Sequence, residues 1–394
     1  MKTRYFCNFY FFYFTTIGVI VPYWGLYLKY LGFNAAQIGE LMAILLVTKV
    51  VTPNLWAIAA DRIAAKRGSS LSILSIATGF TLIIFSAMLI ANQYWSVALV
   101  MFAYCIFWNA CLPQVEAATL NHLNNDRERY GNIRLWGSLG FIVTVLLVGE
   151  LIDKNGVPII LPAAIICMST MFIASLMLSN RAKISSQSLD DQEIFNTKIP
   201  IKKLLNKSVV TVLILCFFMQ LSHAPFYSFF SIYLENYGYS KFLIGVLWTV
   251  GVVFEIGVFL IGYRLLRRFS LVHLLTFTFL IAAIRWYLVA AFPESIVMIL
   301  ISQTMHAITY GLYHIVMIQL IDRFFVGRYQ IRGQALYSSI TFGLGGAVGS
   351  ILSGYIWSYF GPNELFYYSG VMMFLVMLVS AFVLIKNHSE FNVG

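Results

Sequence analysis

Residues Tyr27–Leu41 read YLKYLGFNAAQIGEL, and residues Tyr233–Leu247 read YLENYGYSKFLIGVL. At an offset of 206 they align Tyr27 with Tyr233, Leu28 with Leu234, Gly32 with Gly238, Ile38 with Ile244, Gly39 with Gly245 and Leu41 with Leu247. Each stretch joins two apolar runs through a short polar break. A second echo lies further on. Asp126-Arg127 followed by RYGNIR from Arg129 answers Asp322-Arg323 followed by RYQIR from Arg328, at offsets of 196 to 199. Two echoes in the same order at similar spacing indicate a duplicated unit of about half the chain.

The duplicated unit is a membrane unit. Of 394 residues, 60% are hydrophobic and 11% charged, with mean hydropathy +0.81. A soluble domain carries about 25% charged residues, so a soluble enzyme or nucleic-acid binder is excluded. A spanning helix needs about 20 mostly apolar residues. On that basis the first half predicts spans over 4–28, 37–60, 69–91, 94–121, 131–152 and 158–179. The second half predicts them over 208–235, 241–263, 271–291, 295–320, 333–360 and 364–386. The fold class is therefore all-α integral membrane, twelve transmembrane helices in two pseudo-symmetric six-helix bundles. Residues 1–179 form the first bundle, 180–207 a polar linker, and 208–394 the second bundle.

Charge placement sets the orientation. The net charge is +10, and 21 of the 26 Lys and Arg residues lie on one side of the predicted spans, against three in the opposite loops. This obeys the positive-inside rule and places both termini and the linker in the cytoplasm. The basic excess needs no nucleic-acid partner; lipid headgroups suffice. Cys7, Cys105, Cys111, Cys167 and Cys216 sit in apolar runs without metal-ligand spacing, so no metal site is expected. The first span has no small-residue cleavage site and is expected to be retained.

Twelve spans in a 6+6 duplication, with Asp61-Arg62 and then Lys66-Arg67-Gly68 in a loop, resemble the major facilitator superfamily over essentially the whole chain. Ala57 departs from that loop motif, where a Gly is usual. The resemblance makes Asp61, Arg62 and Arg67 a conformational loop motif. Glu116 followed by Arg134, with RLWGSLGF from Arg134, resembles the lactose-permease-like branch of proton symporters. YGNIRLWGS from Tyr130, QLSHAPFYSFFSIY from Gln220 and GYSKFLIGVLWTVGVVFE from Gly238 resemble the phenylpropionic acid porter group. The branch implies substrate contacts at Glu116 and Arg134 and an aromatic contact at Phe141. A Phe lacks the indole N–H, which disfavours a galactoside. His306 falls where the branch has Lys-x-x-His-x-x-Glu, but here Gln303 and Thr309 replace the Lys and Glu. The branch's span-10 acid is thus missing.

Embedded ionisable residues cost about 2.5–3.5 kcal/mol each at mid-span, so each needs a reason. Arg134 is either a bidentate fork for a substrate carboxylate or hydroxyls, with Glu116 its partner when empty, or half of a structural ion pair with Glu116. Lys49 and Glu255 differ by 206, the offset of the repeat, and so occupy equivalent depths in the two halves. Glu255 is expected to carry the coupling proton, or else to stay ionised beside Arg285; Lys49 is expected at the interface between halves. Arg285 resembles the branch's neutralising arginine. His223 and His306 are expected to contact substrate or proton, with His314 behind them, or to be packing residues. Tyr10, Tyr13, Tyr23, Trp24, Trp108, Tyr227 and Tyr313 either line a cavity or pack helices.

No G-x-x-x-x-G-K-[ST], H-E-x-x-H or G-x-S-x-G occurs, so neither ATP-driven transport nor an intramembrane enzyme is expected. The expected function is secondary active transport without a cofactor, the proton gradient driving symport of a small organic carboxylate such as a phenylpropionate-like aromatic acid. Sugar or nucleoside symport and drug efflux are the alternatives. The expected setting is a monomer in the bacterial inner membrane.

Overall fold

The computed structural model describes residues 3–67, 71–123, 126–179 and 206–385. They form twelve helical rods in chain order. These are α1 (Arg4–Tyr30), α2 (Ala35–Arg67), α3 (Leu71–Ser86), α4 (Tyr94–His122), α5 (Arg127–Asn155), α6 (Ile160–Ser179), α7 (Lys207–Asn236), α8 (Lys241–Arg268) and α9 (Leu271–Ala291). The last three are α10 (Ile296–Phe324), α11 (Arg332–Tyr359) and α12 (Pro362–Val383). Ten of these rods are long and apolar enough to cross a membrane; α3 extends into a shorter apolar helix, Ile73–Leu89, and α2 completes the set. The predicted spans therefore correspond to helices, with α2 running on to Arg67 and α5 starting earlier, at Arg127. Linker residues 180–205 lie outside the described residues.

The repeat is visible as geometry. Gly32 and Gly238 have φ of 88° and 81°, a left-handed conformation that costs glycine little. Each stops a helix in the same way. The Gly32 N–H donates to the Lys29 carbonyl and the Phe33 N–H to Leu28; the Gly238 N–H donates to Glu235 and the Tyr239 N–H to Leu234. Two residues later each chain starts a new helix. The Asn34 side chain accepts from the Gln37 N–H at 2.9 Å, and the Ser240 hydroxyl accepts from Leu243 at 3.2 Å. All these pairs keep the offset of 206.

Two compact units emerge, residues 1–187 with 230–246, and 188–229 with 247–394. Polar contacts explain why 230–246 belongs with the first. Glu235 sits between two ammonium groups, Lys29 at 2.9 Å and Lys241 at 3.0 Å. The Asp153 carboxylate accepts the first two N–H groups of α8, from Lys241 at 2.9 Å and Phe242 at 2.8 Å. A carboxylate at a helix N-terminus meets both the orphan donors and the positive end of the dipole. The Tyr23 hydroxyl donates to the Val145 carbonyl at 2.8 Å.

Inside the first unit, α1 and α5 pack backbone to backbone. A Cβ built on Gly140 would run into the Phe11 carbonyl, and one on Gly18 would stand 3.0 Å from the Phe141 oxygen. Lipid gives helices no hydrophobic drive to associate, so close approach at small residues supplies the attraction. Gly140→Ala should therefore lower the thermal midpoint of the purified protein, an overpacking cost of about 1–3 kcal/mol. Gly131→Ala, where the new methyl meets open space, should leave the midpoint unchanged or raise it.

Candidate functional site

The short connection between α4 and α5 brings Glu116 and Arg134 together in the first unit. Arg134 Nε lies 3.5 Å from Glu116 Oε1, and both side chains are about one-third exposed, 34% and 33%. The guanidinium stands over the ring of Phe14 at 4.3 Å and that of Tyr10 at 5.5 Å. The sequence-predicted pair is thus present, with two aromatic faces from α1 on the same arginine. Phe141 is buried on α5, seven residues beyond Arg134. The ring that covers Arg134 at 4.3 Å belongs to Phe14, which the sequence did not single out.

A second cluster forms in the other unit from α7, α8, α9 and α10. Arg285 on α9 is fully buried. Its Nη1 lies 3.0 Å from His306 Nδ1, 3.1 Å from Thr309 Oγ1 and 3.4 Å from His223 Nε2. His306 Nε2 in turn faces Glu255 Oε2 at 3.8 Å, longer than a hydrogen bond. Four predicted residues, His223, Glu255, Arg285 and His306, therefore belong to one constellation, with Glu255 the most exposed at 18% of its side chain.

The donor inventory fixes the histidine tautomers. Arginine only donates, so His306 Nδ1 accepts and its proton sits on Nε2, pointed toward Glu255. His223 Nδ1 lies 2.9 Å from the Met219 carbonyl, an acceptor, so that nitrogen holds the proton and Nε2 accepts. Thr309 takes the Arg285 hydrogen bond, donates to the His306 carbonyl at 3.4 Å and lies 3.2 Å from His223 Nε2.

Local structure sets this up. Residues Ala307–Leu312 form a π-helical turn between α-helical Ile296–Thr304 and Tyr313–Phe324. Such turns are often found at functional sites. Gly311 in that turn clears room for the acid; a Cβ there would lie 3.2 Å from Glu255 Cγ. His306, Tyr310 and His314 make a column of parallel rings, at 5.3 Å and 6.3 Å between centroids. Phe226 and Trp286 cover the Arg285 guanidinium at 4.6 Å and 4.3 Å.

Lys49 is exposed on α2. Asp61, Arg62 and Arg67 lie in α2, and their side chains fall outside the described residues. Thr309, Phe226 and Trp286 were not foreseen. Thr309 stood out only as the residue in place of an acid, and aromatic residues are too common in this chain, at 16%, to be singled out.

Residues 5–368 match the MFS_1 like family. The chain is similar to the "Probable 3-phenylpropionic acid transporter" of Escherichia coli (strain K12), 27% identical over 91% of this chain and 92% of that protein. It is also similar to the maltose permease of Geobacillus stearothermophilus, 26% identical over 88% and 86%. Among solved structures, a mutant of the nucleoside transporter NupG superposes with a TM-score of 0.82 at 16% identity, over 96% of this chain and 98% of that one. That likeness shows the fold.

In protein labelled with ¹⁵N-histidine, His306 should report a proton on Nε2 and His223 one on Nδ1. The opposite tautomer at His306 would show that Arg285 does not donate to it.

Proposed function

The chain belongs to the MFS_1 like family and is a secondary transporter of the major facilitator type, and on that premise we propose that it is a proton symporter taking up a small organic carboxylate by alternating access. The observation that carries the proton assignment is the line from Glu255 through His306 to a fully buried Arg285. A buried cation is expensive unless matched, and Glu255 is the acid that faces this cluster. A proton on Glu255 cancels the charge opposite Arg285, with His306 holding the two apart. Protonation thereby changes the electrostatic balance of the second unit, which is what a coupling group has to do.

In the first unit, Arg134 and Glu116 are the proposed solute contacts, with Phe141; His223 and His306 are proposed to reach it from the second. Lys49, at the position that repeats Glu255, is proposed to act with Glu255 and Arg285 in coupling. Asp61, Arg62 and Arg67 are proposed as the conformational loop motif. A carboxylate solute is supported by the name of the Escherichia coli relative and by the aromatic faces around Arg134 and Arg285. A sugar or nucleoside is the second possibility, favoured by the maltose permease relative. The proposed setting is the bacterial inner membrane, with the basic segments and both termini cytoplasmic and the transporter acting as a monomer.

The test is uptake into proteoliposomes of a panel containing aromatic acids, maltose and uridine, with and without an inward acid gradient. Accumulation of an aromatic acid that a protonophore abolishes is expected; accumulation that follows a sodium gradient instead would overturn proton coupling. Glu255→Gln should abolish uphill accumulation yet preserve exchange between equal compartments, since exchange need not release the proton. Uphill accumulation retained in that variant would exclude Glu255 as the carrier. Arg134→Lys should lose most uptake at normal expression, because lysine keeps the charge without the planar fork; normal transport would make Arg134 a counter-charge for Glu116.

A further inference from the structure

The nitrogens of Arg285 are unequally served. Nη1 holds all three polar contacts, to His306, Thr309 and His223. Nε and Nη2 are buried without a hydrogen-bond partner. Those two N–H groups are not scattered. They point the same way from one edge of the planar guanidinium, the edge that grips a carboxylate through two parallel hydrogen bonds. The rings of Phe226 and Trp286 lie 4.6 Å and 4.3 Å from the guanidinium carbon, with 6.1 Å between their centroids, so both stand beside this group. The result is a carboxylate-binding edge beside two aromatic rings, at a position with 0% exposure.

Arg134 offers the instructive contrast. Its Nε already faces the Glu116 carboxylate at 3.5 Å, so its anion is supplied by the protein. Arg285 is served through one nitrogen by two imidazole lone pairs and a hydroxyl, none of them anionic. Glu255, the acid facing His306, lies 3.8 Å from its Nε2. Buried polar groups are almost always hydrogen-bonded, and two orphan donors on one cation need an explanation.

We infer that the Nε/Nη2 edge of Arg285 is the docking point for the carboxylate of the transported solute. The inference rests on the carboxylate reading above and assigns recognition of the carboxylate to Arg285, with Arg134 contacting other polar groups of the solute. It also names the solute class more closely. A monocarboxylate whose body is flat and apolar fits, since its acid group fills the fork while its body meets the rings of Phe226 and Trp286. Coupling then follows from charge balance, because the solute's negative charge and the proton on Glu255 meet at one buried cation.

The test uses the purified full-length protein and two probes of one shape, 3-phenylpropionate and its neutral amide. The readout is the ratio of their Kd values. Wild type should prefer the acid by at least tenfold. Arg285→Gln should bring the ratio near one, and Arg285→Lys, which keeps the charge but not the fork, should weaken acid binding at least threefold. A preference that survives Arg285→Gln overturns the assignment while leaving carboxylate transport standing. No acid preference in wild type overturns the carboxylate reading itself, and this inference with it. Should both Arg285 variants fail to fold, Trp286 decides. Adding 3-phenylpropionate should change tryptophan emission in wild type and not in Trp286→Phe, and an unchanged response in Trp286→Phe would place the acid elsewhere.

Discussion

Inside a bilayer no water is present to complete a hydrogen bond, and that constraint governs nearly every feature of this chain. It forces the backbone into helices that satisfy themselves. It also turns each polar side chain within a span into a commitment that must be met by another part of the protein. The caps show the first half of this. Asn34, Ser240, Ser270 and Ser295 accept N–H groups where helices begin, and Gly32 and Gly238 let the last carbonyls be used where helices end. The charged clusters show the second half, because Glu116, Arg134, Glu255 and Arg285 are each placed against a named neighbour.

The two embedded arginines meet the constraint differently. Arg134 has an acid of its own and aromatic faces, at a partly open position. Arg285 is sealed, has aromatic faces, and leans on neutral acceptors. A protein that must bind and release a charged solute cannot complete all its own pairs, since a completed pair leaves nothing for the solute to do. An incompletely served cation in the interior is therefore an expected property of such a site.

Much of this was legible in the sequence. The spans follow from hydropathy, and the repeat from the glycine and the helix starts that a sharp turn requires. Glu116 and Arg134 are joined by a short connection, so their meeting follows from topology. His223, Glu255, Arg285 and His306 were each legible as expensive embedded residues, but their convergence was not. They come from four helices, and the facing side of α10 cannot be computed with a period of 3.6 because the helix leaves that period at Ala307–Leu312. The internal offset linked Glu255 to Lys49, whereas the structure turns Glu255 toward His306. Equivalent depth says nothing about which neighbour a side chain meets.

The π-helical turn in α10 has a further consequence. A backbone that bonds from i to i+5 instead of i to i+4 takes in one residue more than a regular turn, so it behaves like a one-residue insertion absorbed without a loop. Everything beyond Leu312 is rotated by about 100° relative to a straight α-helix through His306. His306, Tyr310 and His314, spaced by four, keep their rings in one column across this turn. The phase of this helix is thus written in its length, and losing a single residue from it would rearrange the site more than exchanging any one side chain.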